Sequence, residues 1–255
     1  MRGHVSKRRS ERNWKAAGSS SKKRAHFVPS RRPLKAAVVV PAYNEEDLIA
    51  NAIDSILDAV LVDEVIVVSD GSSDATAEVA REFEQVKVVE LPFNIGKGGA
   101  MCAGVAHTDA DIIAFFDADL VGLRGNHVDQ VIRPLMNAQC DMCIGVFRGG
   151  KFWSDTGQVI TPFLSGQRAM YRKLFEAVPF LPEIRMGAEI TITTYAKRLK
   201  ATVNKVVLRG VSNTHKEQKL GIVKGAAARA KMYREIAQAM VKVRKRRRRS
   251  GWTLK

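Results

Sequence analysis

The chain has no run of about 18 apolar residues, the length a helix needs to cross a bilayer, and its first residues lack the apolar core of a secretory signal. A cytoplasmic protein, or one held peripherally on the inner face of a membrane, is therefore expected. Cysteine is scarce: three in 255 residues, an odd number, give no disulfide framework and suit a reducing compartment. Cys140 and Cys143 do form a C-x-x-C, but no second ligand pair accompanies them. The stretch Met142-Cys143-Ile144-Gly145-Val146-Phe147 reads as a core strand, so both thiols are expected to pack rather than to bind zinc or exchange electrons. No internal repeat is present. A P-loop is also missing, because the Gly96-Lys97 pair is followed by Gly98 where Ser or Thr would stand, and Met101 occupies the third glycine position of G-x-G-x-x-G.

Acidic residues are nearly absent from the two ends. Residues 1–35 hold twelve Lys or Arg against one Glu, and residues 242–255 hold eight against none. These ends carry +11 and +8 of the chain's formal +16, which leaves residues 36–241 at about −3. The basicity thus belongs to extensions of a mildly acidic globular part, and an electrostatic partner would meet the extensions. Nucleic acid is not the expected ligand of the core, which has no basic face of its own.

With 45% hydrophobic residues the chain can bury a substantial core. Residues 1–33, rich in Arg, Lys and Ser, read as a disordered extension. From Leu34 onward apolar runs alternate with amphipathic stretches. A strand over 36–40 leads to a helix over 44–60, with Glu45, Glu46 and Asp47 in its first turn. Strand 64–69, helix 73–83, strand 86–91, helix 98–107 and strand 112–116 follow. Repeated β-α units imply an α/β protein with a mostly parallel, doubly wound sheet flanked by helices. Beyond it the pattern predicts a helix over 126–137, a strand over 141–147 and a Gly-rich loop over 148–157. Helices over 168–178 and 188–199, a strand over 202–208 and a basic helix over 217–245 complete the reading. The expected division is an extension 1–33, a folded domain 34–215, a basic helix 216–245 and a basic tail 246–255.

The most informative stretch is Ile112-Ile113-Ala114-Phe115-Phe116-Asp117-Ala118-Asp119. An apolar strand buried on both faces ends there in two carboxylates, at the edge where doubly wound sheets bind ligands. Two such anions repel unless a cation sits between them, and hard oxygen ligands select Mg²⁺ or Mn²⁺ over Zn²⁺. Three further strand-to-helix turns carry suitable groups. Val40-Pro41-Ala42-Tyr43-Asn44-Glu45-Glu46 offers a ring on which a base can stack. Ser69-Asp70-Gly71-Ser72-Ser73-Asp74 offers a carboxylate, Asp70, that could accept from a base N–H, while Ser72, Ser73 and Asp74 are explained by helix capping. Asn94-Ile95-Gly96-Lys97-Gly98-Gly99-Ala100 places a cation at a helix start suited to phosphate.

In this order the four turns resemble the glycosyltransferase family 2 type of GT-A fold, from about Ala36 to His215. The segments Leu164-Ser165-Gly166-Gln167-Arg168-Ala169 and Gly187-Ala188-Glu189-Ile190, with His215, are similar to the acceptor-side half of that family. The resemblance implies a metal-dependent glycosyltransferase using a nucleotide-diphosphate sugar. By it, Pro41, Tyr43, Glu45, Asp70, Lys97, Asp117 and Ala118 would bind the donor, UDP being the default nucleotide. Asp119, Asp117 and His215 would hold Mn²⁺ or Mg²⁺. Asp119, Glu189 and Arg168 would be the catalytic residues, with Glu189 the base of an inverting transfer and Arg168 a binder of acceptor or phosphate. A Glu in a first helical turn is also favourable without any catalysis, so the residue type alone leaves Glu189 open.

Relatives of this kind build sugar phosphoglycerates or glycosylate lipid phosphates, and the acceptor, the sugar and the stereochemistry stay open. Membrane-spanning relatives have hydrophobic C-terminal helices that this chain lacks; its polybasic ends are suited instead to an anionic membrane surface, where each Lys or Arg gains about 1 kcal/mol. A homodimer is a further expected partner. The rivals are a non-catalytic nucleotide-sugar or nucleic-acid binder acting through its basic ends, and a nucleotidyltransferase. The second would need a glycine-rich signature near the first strand, where Pro41-Ala42-Tyr43-Asn44 stands instead.

Overall fold

A computed structural model describes residues 27–28, 33–148, 165–179, 181–185 and 187–213. Nine strands and six helices are assigned among them. In chain order they are β1 (Ala36–Ala42), α1 (Ile49–Leu57), β2 (Glu64–Ser69), α2 (Thr76–Arg81), β3 (Val86–Glu90), α3 (Lys97–Ala106) and β4 (Ile112–Phe115). There follow β5 (Leu120–Val121), α4 (Gly125–Met136), β6 (Met142–Arg148), β7 (Arg168–Tyr171), α5 (Arg172–Glu176), a 3-10 turn (Leu181–Glu183), α6 (Ala188–Arg198), β8 (Val203–Arg209) and β9 (Ser212–Asn213).

Seven strands form one sheet in the order β3-β2-β1-β4-β7-β6-β8. All neighbours run parallel except β7, which is antiparallel to both β4 and β6. The expected mostly parallel α/β sheet is what the chain forms. Its continuous apolar runs are explained by burial on both faces: in β1, Val38 and Val40 enter one core cluster while Ala37 and Val39 enter the other. Ile49, Ile53 and Ile56 of α1 and Val128, Val131 and Ile132 of α4 cover the first face. Met101 of α3, Leu174 of α5 and Ile192 of α6 cover the second. Cys140 and Cys143 are fully buried, as a packing role requires.

The order of the strands decides where a ligand fits. The chain steps outward from β1 to β2 and β3, then returns across to β4 on the other side of β1, so β1 and β4 diverge at a topological switch point. Tyr43 follows β1 and Asp117 follows β4 at that crevice.

Three expectations about elements need correction. The helix expected from residue 44 starts at Ile49, because Asn44 takes a left-handed φ of 53° and the Glu45 carbonyl turns the chain by accepting from Leu48 and Ile49 N–H. Glu45, Glu46 and Asp47 therefore lie before the helix. The helix expected over 73–83 is shorter, Thr76–Arg81, since its first residues are used in the turn. The helix expected from Arg168 is a strand as far as Tyr171, and helical only over Arg172–Glu176. Tertiary pairing with Ile112–Phe115 and with Met142–Ile144 overrides local pattern there.

The N-terminal extension reaches the core within the described residues: the Phe27 N–H donates to Asp141 Oδ1 at 2.9 Å, and its ring packs against both clusters. The expected basic helix over 216–245, the tail 246–255, most of the loop over 148–157 and most of the extension 1–33 lie outside the described residues, as does His215.

Candidate active site

The first two turns are fastened to each other. Asn44 N–H donates to Ser72 Oγ at 3.2 Å, Ser73 N–H to Asn44 Oδ1 at 2.9 Å, Glu45 N–H to Thr76 Oγ1 at 2.8 Å and Ala75 N–H to Glu46 Oε2 at 2.9 Å. Glu46 thus caps α2 from another loop. Pro41 is part of β1 and half-buried, and beyond it Tyr43 is 50% exposed at the crevice, an open ring as base stacking requires.

Asp70 is placed differently from expectation. It is buried, and its two carboxylate oxygens accept from the backbone of the third turn, Ile95 N–H at 2.8 Å and Gly96 N–H at 2.9 Å. The second turn therefore anchors the third. The expected phosphate cradle at the start of α3 is also corrected: Lys97 N–H and Gly98 N–H are taken by the carbonyls of Arg185 and Ile184, both at 3.0 Å. Amides already satisfied by protein oxygens are not free for an anion, so these two are withdrawn from phosphate binding. Gly98 is required for this closure, because a Cβ there would run into the Leu181 and Ile184 carbonyls.

What the loop does offer is the Lys97 side chain. Its Nζ lies 2.5 Å from Asp117 Oδ1 and 2.5 Å from Glu189 Oε1. Gln167 Nε2 donates to the other Asp117 oxygen at 2.9 Å. Burial by itself would push the Asp117 carboxyl up, but the Lys97 charge, the hydrogen bonds from Lys97 and Gln167 and the Arg168 charge outweigh it and hold it below the ordinary range. Lys97 is the converse: burial works against its charge, and the two carboxylates raise it well above the ordinary lysine value. An ammonium has three donors and two are used, so one remains for a ligand oxygen.

Asp119 stands two residues on, half-buried, with Asn213 Nδ2 at 3.4 Å from its Oδ1; Ala118 between the two aspartates is buried. β5 and β9 pair directly after these residues, Leu120 with Asn213 and Val121 with Ser212. This brings Asn213, the last described residue, beside Asp119. The close approach of Gly122 to the Gly210 carbonyl leaves no room for a side chain and locks the pairing. Among the described residues no group of three metal-ligating side chains occurs. The two oxygen donors present are hard and anionic, which suits Mg²⁺ or Mn²⁺.

Arg168 is not a surface ligand for acceptor or phosphate. It is fully buried at the start of β7, donating from Nη1 to the Glu189 carbonyl at 2.9 Å and to Thr193 Oγ1 at 3.1 Å, and from Nη2 to the Ser165 carbonyl. Burial pulls its pKa down to about 10, against the opposing pull of Glu189 and Asp117, so it remains charged at neutral pH.

Two participants escaped sequence reading. Gln167 has no charge to announce it, and only its place between Gly166 and Arg168 marked the segment. Arg185 seats both Nη atoms on Asn94, at 3.1 Å to the carbonyl and 2.7 Å to Oδ1, and its backbone closes over Gly96; nothing in its local pattern pointed to the crevice.

The family model described as glycosyl transferase family 2 matches residues 37–182, more than half of the chain and all four of the turns just described. The chain belongs to glycosyl transferase family 2. Within that family it is 32% identical over 196 residues to glucosyl-3-phosphoglycerate synthase of Mycobacterium tuberculosis, covering 62% of this chain and 60% of the relative. It is also 41% identical over 101 residues to a dolichyl-phosphate beta-glucosyltransferase of Drosophila melanogaster, covering 34% of this chain and 31% of the relative. The chain thus spans about 60% of the length of the curated synthases it matches. Among solved structures, the Mycobacterium tuberculosis synthase in complex with Mn²⁺, UDP-glucose and phosphoglyceric acid superposes with a TM-score of 0.68 at 26% identity, covering 82% of this chain and 79% of that one. The same synthase with Mg²⁺ and UDP gives a TM-score of 0.61 at 29% identity, over 71% and 72% of the two chains. The mostly parallel α/β sheet flanked by helices is the GT-A fold that this chain shares with these neighbours.

Proposed function

We propose that this chain transfers a sugar from a nucleotide-diphosphate sugar, with UDP as the nucleotide, to a phosphate-bearing acceptor, a phosphoglycerate or a lipid phosphate, with Mn²⁺ or Mg²⁺ as cofactor. The observation that carries the reading is the Lys97 ammonium held between Asp117 and Glu189 at the switch point, with Asp119 beside it. Relatives crystallised with Mn²⁺ or Mg²⁺ and UDP support the donor class, and one with phosphoglyceric acid supports the acceptor class.

Asp119 and Asp117 would hold the ion, with His215 as third ligand. When bound, that ion supplies positive charge against the leaving diphosphate. Lys97 adds a second positive group at the same edge, its remaining N–H directed to a donor phosphate oxygen. Tyr43 stacks on the base, with Pro41, Glu45 and Ala118 lining the nucleotide side. Asp70 serves that side indirectly, by holding Ile95 and Gly96 in place. Were the transfer inverting, Glu189 would be the base that takes the proton of the acceptor hydroxyl; a retaining transfer would not need it in that role.

The functional unit in this reading is residues 34–215, preceded by the extension 1–33 and followed by a basic helix 216–245 and a tail 246–255. No helix among the described residues is long and apolar enough to cross a membrane. The polybasic ends supply electrostatic attachment to an anionic leaflet instead. Removal of residues 242–255 is expected to lower binding to phosphatidylserine-containing vesicles and to leave donor binding intact; unchanged vesicle binding removes the membrane role.

The deciding experiment is thermal stabilisation by UDP-, GDP- and ADP-sugars with and without Mn²⁺, followed by transfer assays with 3-phosphoglycerate and polyprenyl phosphate. A ligand at 100 times its Kd adds about 2.7 kcal/mol, a readily measured shift in Tm. Metal-dependent stabilisation by UDP-sugars alone, with transfer to one of the two acceptors, is the expected result. No stabilisation of the folded protein by any of them refutes the proposal.

A further inference from the structure

We infer that Arg168 is a positioning residue that sets Glu189 against Lys97 and Asp117, a role that rests on the function proposed above. The guanidinium joins two segments that approach the site from different parts of the chain. From Nη1 it holds the carbonyl of Glu189 in the first turn of α6, and from Nη2 the carbonyl of Ser165. The Ser165 hydroxyl lies within hydrogen-bond reach of two acceptors, Gln167 Oε1 at 2.9 Å and the Gly145 carbonyl, which share its one proton, and Gln167 Nε2 donates to Asp117. One planar cation thereby ties the backbone bearing Glu189 to the loop that fixes Asp117, and both carboxylates meet on Lys97. Gly166 closes the same loop onto Asp117, where any Cβ would collide with the carboxylate.

Arg168 is poorly suited to a purely stabilising role. Within the described structure it has no carboxylate within ion-pair distance, is fully buried, and its Nε has no hydrogen-bond partner. Such a buried charge is costly, and an apolar side chain of similar volume often matches or exceeds its stability. The Glu189 carbonyl would remain satisfied without it, since Thr193 Oγ1 also donates there at 2.8 Å. What an apolar replacement would lose is the fixed distance between the start of α6 and the Ser165–Gln167 loop. Misplacement of a reacting group by about 1 Å can cost on the order of 100-fold in rate.

The test compares R168M and R168K with the wild-type chain. R168M is expected to fold, to bind UDP with Mn²⁺ within about threefold of wild type, and to lose on the order of 100-fold in kcat with little change in KM for the donor. R168K, which keeps the charge and loses the fork, is expected to fall between the two. Crystal structures of wild type and R168M give a readout independent of turnover: the Lys97 to Glu189 ion pair is expected to open beyond 4 Å in the variant while Lys97 to Asp117 persists. Wild-type kcat in either variant, or an intact Lys97 to Glu189 pair in R168M, overturns the inference. If R168M does not fold, R168K decides, a fall in kcat at unchanged donor KM supporting the inference. Absence of any sugar transfer or donor hydrolysis by the wild-type chain refutes the proposed function instead, and the crystallographic comparison then still decides whether Arg168 sets the geometry.

Discussion

Lys97 Nζ lies 2.5 Å from Glu189 Oε1, across 92 positions of sequence, and the pair brings the first helix turn after the third loop against the first turn of α6. The Asp117 carboxylate shares the same ammonium. Each of these side chains is charged and mostly removed from water, so each depends on the others.

Asp117→Asn removes one of the two anions facing Lys97. Breaking a buried pair by removing one partner costs about 3 kcal/mol. Because the Asp117 carboxyl is held below the ordinary range, its contribution is present above the unfolded value of about 3.9 and disappears as pH falls through the lower folded value. The Lys97 contribution is present below the unfolded value of about 10.4 and is lost only as pH rises past the elevated folded one. The stability gap between wild type and Asp117→Asn, measured by urea unfolding without metal, is therefore expected to be full at pH 7 and to close progressively below pH of about 4.

Asp119→Ala is expected to abolish Mn²⁺-dependent UDP binding in calorimetry while leaving Tm of the metal-free protein within a few degrees of wild type. Its side chain is half-buried at the strand edge, so little packing is lost. Persistent metal-dependent binding would remove Asp119 from the site.

Asp70→Asn replaces one of two acceptor oxygens by a donor that faces a backbone N–H, leaving Ile95 or Gly96 unsatisfied. A stability loss of about 1–3 kcal/mol is expected. Hydrogen exchange at Ile95 and Gly96 should accelerate first, and donor affinity should fall because the turn bearing Lys97 loosens. Direct recognition of the base by Asp70 would instead lower affinity for uridine itself with exchange at these amides unchanged.

Gly98→Ala forces a methyl against the Leu181 and Ile184 carbonyls that close the start of α3. Overpacking of this kind costs about 1–3 kcal/mol. Thermal unfolding should show a lowered Tm, whereas Gly104→Ala, whose methyl would meet only the Val39 and Val68 side chains, should cost less. Equal losses would show that the backbone closure is not the cause.

The sheet was legible because a strand buried on both faces must be apolar throughout: Ala36–Val40 and Ile112–Phe116 declare themselves by composition, and the helices between them by their spacing. The two aspartates after β4 were legible for the same reason, since ionised groups at the end of such a run require compensation. The sequence alone therefore determined the α/β class and the edge at which the candidate site lies, and its loop pattern offered Lys97, whereas Glu189 was named only by resemblance to the family. Tertiary structure decided their partners. That Asp70 spends its oxygens on the Ile95 and Gly96 amides, that α3 begins under the carbonyls of Ile184 and Arg185, and that Arg168 lies inside the molecule on a strand are consequences of chain passing chain. Local periodicity records which face a residue buries and which turn it favours. Hydrogen bonds and ion pairs between segments 20 to 92 positions apart depend on distances that only the packed sheet and its flanking helices fix.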